Sequence, residues 1–226
     1  MPFLIIGGIA LLLALLFGPG LWIARVMRVE GRERSDLPGT GGELARHLLD
    51  EADLRQVRVE MTEEGDHYDP ATRTVRLLEQ HYRGRSIAAV AVAAHEVSHA
   101  VQHARDEPGF RRRIALVQVI GPLDTVARII LVAAPLIFLV SHAPVLILAQ
   151  LALGVVFLAG CLAVHAVTLP VEFDASFGKA LPVLERGGYL GPADLPAARR
   201  VLRAAALTYV AAALATLLNV LRWIRP

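Results

Sequence analysis

The chain has 226 residues, 55% of them hydrophobic, and its mean hydropathy of +0.51 is higher than that of an ordinary soluble domain. We therefore expect a membrane protein. The net charge is only +2 and Lys179 is the one lysine, so the basic composition of nucleic-acid-binding proteins is excluded. Cys161 is the only cysteine, which excludes an intramolecular disulfide.

The first 24 residues carry no charged side chain. The stretch from Phe3 to Ile23 is long enough to cross the hydrocarbon core of a bilayer. It lacks the basic start and the small-residue cleavage site of a signal peptide, so we predict an uncleaved transmembrane anchor at 1–24. Arginines follow the anchor directly, and the positive-inside rule then places residue 25 onward in the cytoplasm.

The next region, residues 25–119, contains both helical and strand patterns. Residues 43–56 have the apolar spacing of a helix, whereas residues 57–61 and 72–78 alternate in the manner of strands. The polar residues 64–70 between the two strands predict a loop. We expect a β-hairpin or a small sheet here, and its edge could hold an extended peptide by main-chain pairing.

A metal-binding pattern follows the strands. His95, Glu96 and His99 form an H-E-x-x-H sequence within a helix predicted at 86–105. Residues four apart lie one turn above each other on the same face of a helix. Two imidazoles placed in this way can bind one Zn²⁺, and the glutamate between them is then beside the metal-bound water as a general base.

His103 continues the same helical face but is not predicted to be the third ligand. Residues eight apart on a straight helix are separated by about 12 Å along its axis. Ligand bonds to zinc are only about 2 Å long, so His95 and His103 cannot share one ion. The sequence also has Gln102 and Arg105 where the extended metzincin pattern requires glycine and histidine. The third ligand must come from another part of the chain.

The second half of the chain contains the longest apolar stretch. Residues 129–171 carry no formal charge and predict two membrane spans with a turn at 141–144. Two crossings would return the chain to the side on which His99 lies. We interpret the arginine cluster at 111–113 as a topology signal for these spans. The predicted segments are an anchor at 1–24, a cytoplasmic catalytic region at 25–119, a transmembrane hairpin at 120–167, a helix and loop at 168–198, and a fourth transmembrane helix at 199–226.

The expected fold class is therefore a mainly α integral membrane protein. It would have about four transmembrane helices and a small α+β zinc-metalloprotease domain in the cytoplasm. No nucleic-acid partner is expected, and the lipid bilayer is the expected surroundings of the spans.

Four stretches together resemble the YugP-type membrane zinc metallopeptidases. They are DHYDPATRTVRL (66–77), GRSIAAVAVAAHEVSHAVQ (84–102), LPVEFDAS (169–176) and LRAAALTYVAAAL (202–214). The likeness extends over almost the whole chain, in order. It implies a multi-pass protein of the bacterial inner membrane whose catalytic site faces the cytoplasm. The implied substrate is a peptide or a membrane protein, and the resemblance leaves room for a regulatory membrane partner.

The resemblance also implies a gluzincin-like site for one Zn²⁺ per chain. His95 and His99 match the histidine ligands of this family, Glu96 matches the general base, and Glu172 matches the third ligand.

The sequence departs from the family pattern in two places. Ser98 stands where related sequences have glycine, and Ser176 stands where the broader membrane gluzincins have an aspartate. We therefore assign to Asp174 the task of orienting a histidine ligand through the second nitrogen of its ring.

The expected reaction is peptide hydrolysis. Zinc lowers the pKa of a bound water, and Glu96 takes the proton of that water and delivers it to the leaving amine. The developing oxyanion needs a hydrogen-bond donor besides the metal. His67, Tyr68 and Tyr209 are the candidates for this donor.

Two other functions remain open. An intramembrane protease would use residues 86–104 as a further span, although its histidines and glutamate are costly in hydrocarbon and the Asp-bearing partner motif of site-two-type proteases is missing. Labelling of cysteines introduced at 87–103 distinguishes this case.

A non-catalytic membrane scaffold or metal sensor would bind zinc without cleaving any substrate, so metal analysis and a peptide cleavage assay together identify it.

Overall fold

A computed structural model describes residues 2–120, 144–208 and 210–211 of the chain. The described part is a mixed fold of helices and one small sheet. Its elements are α1 (Pro2–Glu30), α2 (Gly41–Glu51), β1 (Arg58–Thr62), β2 (His67–Asp69), β3 (Thr74–Leu78), α3 (Glu79–Tyr82), α4 (Ile87–Ala104), α5 (108–120), α6 (Pro144–Phe173), a π-helix (Asp174–Ala180), α7 (Leu181–Arg186) and α8 (Leu195–Ala206). Residues 141–143 of the predicted turn and most of the first span of the expected hairpin lie outside the described residues.

The helix α4, which carries the H-E-x-x-H sequence, lies at the centre of this fold. Ser86 caps its first turn, because its hydroxyl oxygen accepts a hydrogen bond of 3.0 Å from the backbone N–H of Ala89. Every side chain from Ile87 to Ala100 is buried, and many are alanine. A helix that is buried on all sides is typical of a protein core. Small side chains allow α2, α8 and the π-helix to pack closely around it.

The contact between α2 and α4 requires a glycine. A Cβ atom on Gly41 would lie 2.3 Å from the carbonyl oxygen of His81 and 2.8 Å from that of Ala89. Backbone atoms cannot move aside as a flexible side chain can, so a larger residue would push α2 away from α4. The start of α2 is further fixed by a capping box between Thr40 and Glu43, with hydrogen bonds of 3.2 and 2.8 Å.

The sheet has the order β1-β3-β2, with β1 parallel and β2 antiparallel to β3. The strands predicted at 57–61 and 72–78 correspond to β1 and β3, but these two do not form a hairpin with each other. The residues predicted to form the loop between them contain β2, which forms the hairpin with β3. The hydroxyl of Tyr68 on β2 lies 2.9 Å from Nδ1 of His103 on α4. This contact places the edge strand beside the central helix.

Within the described ranges, every helix is either too short or too polar to cross a membrane. This finding contradicts the predicted fold class of an integral membrane protein with four transmembrane helices. It also contradicts the predicted location, which was that of a multi-pass protein in the bacterial inner membrane with its site facing the cytoplasm.

Part of the high hydropathy comes from helices whose apolar side chains are buried against protein. The expected fourth span at 199–226 begins within α8, which is amphipathic. Val201 and Leu202 are buried in the core, whereas Arg199, Arg200 and Arg203 are exposed. The apolar side chains of α4 are likewise buried against protein. The core thus accounts for the apolar residues of α4 and for those at the start of the expected fourth span.

The turn between β2 and β3 depends on the carboxylate of Asp69. One oxygen accepts a hydrogen bond of 2.9 Å from the backbone N–H of Ala71. The other oxygen accepts bonds of 2.6 Å from the Thr72 hydroxyl and 2.8 Å from Arg76 Nη1. The bond from Thr72, supported by Arg76 and opposed by burial, lowers the pKa of Asp69 to about 2.

We expect Asp69→Ala to lower the free energy of unfolding by about 1–2 kcal/mol, because a charged acceptor of four hydrogen bonds is lost from a partly exposed turn. The folded-state pKa lies below the unfolded value of about 3.9. The contribution of Asp69 is therefore full above that value and is lost as the pH falls through about 2. Urea unfolding at neutral and acidic pH measures the effect, with Glu63→Ala, a change to an exposed glutamate between β1 and β2, as the control. Equal stability of Asp69→Ala and the wild type at pH 7 would contradict this assignment.

Candidate metal centre

The two histidines of α4 face a glutamate from the last turn of α6. Their rings lie one helical turn apart, with centroids separated by 4.7 Å. Oε2 of Glu172 lies 3.0 Å from Nε2 of His95 and 3.3 Å from Nε2 of His99. All three side chains are buried, and one potential ligand atom from each lies within 4.8 Å of the other two. The structure thus brings together the three residues that the family resemblance assigned as ligands.

The position of Glu172 depends on an unbroken helix. The sequence predicted a separate helix and loop at 168–198, but α6 continues through Pro170 to Phe173. A π-helix follows directly, at Asp174–Ala180. Short π-helical stretches are rare and often occur at functional sites. Here the π-helix carries two further side chains of the site, Asp174 and Ser176.

A serine fixes the ring of His95. The hydroxyl of Ser176 donates a hydrogen bond of 3.0 Å to the backbone carbonyl of Leu202. Its proton is therefore used, and its oxygen can accept a bond from Nδ1 of His95, which lies 3.0 Å away. Nδ1 of His95 then carries a proton, and Nε2 is the nitrogen directed at Glu172.

A glutamine fixes the ring of His99 in the same way. The amide nitrogen of Gln102 donates to the backbone carbonyl of Val171 at 3.0 Å and to the carboxylate of Asp174 at 2.8 Å. These two acceptors set the orientation of the amide, so its oxygen is the atom that lies 2.8 Å from Nδ1 of His99. That nitrogen therefore donates a proton, and Nε2 is left for Glu172 or a metal ion.

The structure corrects the role predicted for Asp174. The direct partner of His99 is Gln102, and Asp174 acts one step further away by accepting a bond from the Gln102 amide. Asp174 also accepts a hydrogen bond from Lys179, which in turn bonds to Glu107 at 3.1 Å. Burial acts to raise the pKa of Asp174, but the bonds from Lys179 and Gln102 lower it below its usual value. The Asp174 carboxylate is therefore an anionic acceptor that fixes the side-chain amide of Gln102.

These features fit a zinc ion. Two imidazole nitrogens and one carboxylate oxygen are a donor set of catalytic zinc sites, in which a fourth position is open. Burial by itself would lower the pKa of His95, but the hydrogen bond with Glu172 and the charge of Glu96 raise it. An ion bound at Nε2 of His95 would displace a proton from that nitrogen. The buried site is compatible with one zinc ion.

Glu96 lies next to the first ligand and is itself buried. Burial raises the pKa of Glu96. The two histidines oppose this shift, and the charges of Glu172 and Asp66 add to it. A carboxylate with a raised pKa is a stronger base than one exposed to water.

The three candidates for the oxyanion donor are not shown to reach the ligands. Nδ1 of His67 lies 2.8 Å from the carbonyl oxygen of Gly65, within its own turn. Tyr68 is paired with His103, and burial raises the pKa of Tyr68 to about 12. Tyr209 lies outside the described residues. Their roles stay predictions, while His103 belongs to the Tyr68 pair rather than to the ligand cluster.

An arginine also contacts the third ligand. Nη1 of Arg113 on α5 lies 2.8 Å from Oε1 of Glu172. This positive charge helps to lower the pKa of Glu172, together with His99 and the hydrogen bonds from both histidines, against the effect of burial. Arg113 was predicted from the sequence only to mark membrane topology, so this contact was not foreseen.

Sequence signals existed for two other residues that were missed. Gln102 follows His99 by three positions and Ser176 follows Glu172 by four, so each pair shares a helical face. For Arg113 the sequence contains no comparable signal, because its partner is 59 positions away and on another helix.

Comparison with known proteins agrees with this site. The family model described as "Putative neutral zinc metallopeptidase" matches residues 3–226. A curated relative, "Putative membrane protease YugP" of Bacillus subtilis (strain 168), is 39% identical over 190 residues, which cover 82% of this chain and 79% of that protein. No solved structure matches the chain. The resemblance noted in the sequence is confirmed, and the chain belongs to the neutral zinc metallopeptidase family.

Proposed function

We propose that the chain is a zinc-dependent endopeptidase that hydrolyses peptide bonds of polypeptide substrates. The observation that carries the proposal is the meeting of His95, His99 and Glu172 in one buried cluster, with Glu96 between the two histidines in sequence. Membership of a zinc metallopeptidase family supports the same reaction.

Three side chains would hold the metal in this proposal. Nε2 of His95, Nε2 of His99 and Oε2 of Glu172 already face one another, and the partners at both Nδ1 atoms leave the Nε2 lone pairs free for an ion. Bound zinc lowers the pKa of water toward neutrality and polarises a carbonyl group as a Lewis acid.

Glu96 would move the proton. Its carboxylate removes a proton from the attacking water as the C–O bond forms, and returns this proton to the nitrogen of the leaving amine as the C–N bond breaks. The raised pKa of Glu96 favours the first step, because the group accepts a proton more readily than an exposed glutamate.

The edge strand β2 supports binding of the substrate in an extended conformation. It lies at the edge of the described sheet and beside α4, where Tyr68 contacts His103. An extended peptide that pairs with such an edge gains main-chain hydrogen bonds whatever its sequence. This mode of binding would present a peptide bond to the side of α4 without requiring a particular side chain.

We expect Glu96→Gln to keep zinc bound while peptide hydrolysis falls by a factor of at least about 10² to 10⁴, the usual contribution of a general base. Metal analysis and a fluorogenic peptide assay on the same preparation measure the two properties. Glu79→Gln, a change to an exposed glutamate outside the site, is the control. A Glu96→Gln variant that still hydrolyses peptide at the wild-type rate would refute the assignment of the base.

We expect Gln102→Leu to weaken zinc binding by about 10- to 100-fold, because His99 loses the acceptor that fixes its ring. Competition with a chelator measures the affinity. The exposed Gln80→Leu serves as the matched control. Unchanged zinc affinity in Gln102→Leu would show that the His99 ring needs no such support.

A further inference from the structure

Arg113 approaches the metal centre from outside the ligand helix. Its guanidinium lies 2.8 Å from Oε1 of Glu172, while Oε2 of the same carboxylate faces His95 and His99. The contact with Oε1 has the distance of an ion pair without the alignment of a hydrogen bond. The two oxygens of Glu172 therefore face different cations, a fixed charge at Oε1 and the ligand cluster at Oε2.

The fold holds Arg113 in this place. Its guanidinium carbon lies 5.8 Å from the ring centroid of Phe110, one turn earlier on α5. The ring of Phe110 is buried and stacks on His99, with centroids 5.8 Å apart and an angle of 29° between the rings. The side chain of Arg113 is only 18% exposed. Phe110 thus links the position of the arginine to that of a ligand.

We propose that Arg113 is a positioning residue that restricts Glu172 to binding the metal through one oxygen. This inference rests on the proposed function and extends it to a residue outside the ligand set. A carboxylate can bind a metal through one oxygen or through both. Because the guanidinium of Arg113 holds Oε1, only Oε2 can bind the metal, and one coordination position stays open for water.

The ion pair between Arg113 and Glu172 also lowers the affinity of the site for the metal. Two cations that share one carboxylate repel each other, and the repulsion is strong in a buried site where solvent screens poorly. A carboxylate that also neutralises an arginine donates less electron density to the metal. The bound ion then remains a stronger Lewis acid. Arg113 accordingly favours activity at the expense of metal affinity, which is the opposite of what a residue that merely supports the fold would do.

Three variants of the full chain test the inference: Arg113→Met, which removes the charge, Arg113→Lys, which keeps it, and Arg112→Met as an exposed neighbour. Each is measured for zinc affinity by chelator competition, for peptide hydrolysis, and for the visible absorption of the Co²⁺-loaded protein. We expect Arg113→Met to bind zinc about 10-fold more tightly and to hydrolyse peptide about 10-fold more slowly. Its Co²⁺ absorption should weaken, because binding through both carboxylate oxygens raises the coordination number.

Arg113→Lys and Arg112→Met should stay close to the wild type in zinc affinity and in the Co²⁺ spectrum. Zinc affinity of Arg113→Met that is lower than or equal to that of the wild type overturns the inference, and so does an unchanged Co²⁺ spectrum. If Arg113→Met does not fold, Arg113→Gln takes its place with the same expectations. The wild type tests the proposed function separately. If the wild type binds zinc and hydrolyses peptide but Arg113→Met behaves otherwise than expected, only this inference fails. Absence of both properties in the wild type contradicts both.

Discussion

Each histidine ring at the centre of the fold donates its Nδ1 proton to a neutral acceptor, the Ser176 hydroxyl for His95 and the Gln102 amide for His99. Both acceptors are themselves fixed by bonds to backbone carbonyl groups. The two Nε2 atoms are therefore directed at Glu172 without any choice of tautomer. A buried pair of imidazoles beside a buried carboxylate is stable only if their polar atoms are satisfied in this way.

The surrounding fold serves this arrangement. The side chains of α4 are small enough for α8 and the π-helix to approach closely, and these are the elements that supply the Leu202 carbonyl and Ser176. Two cations extend this network: Lys179 donates a hydrogen bond to Asp174, and Arg113 forms an ion pair with Glu172. The ligands are thus held by residues from four separate parts of the sequence. Rigid support of this kind is what a metal centre needs to keep its geometry.

The sequence predicted the local features of the site better than the distant ones. The spacing of His95 and His99 defines one face of a helix, and that pattern is complete within a single turn. Glu172 was joined to them by family resemblance, because spacing alone cannot bring together residues 73 positions apart. The strand β2 was missed because its three residues are too few to show alternation. The membrane prediction is contradicted because no helix of the described residues is long and apolar enough to cross a membrane. At the start of the expected fourth span, hydropathy misled because it does not tell whether protein or lipid covers a helix, and Val201 and Leu202 of α8 are buried in protein.

The identity of the metal ligands can be measured directly in crystals of the zinc-loaded protein. Anomalous diffraction recorded on both sides of the zinc absorption edge locates the ion independently of the protein coordinates. We expect one peak per chain, at about 2.0–2.2 Å from Nε2 of His95, Nε2 of His99 and Oε2 of Glu172. A peak bound by other residues, or a Glu172 carboxylate beyond coordination distance from the ion, would contradict the assignment of this site.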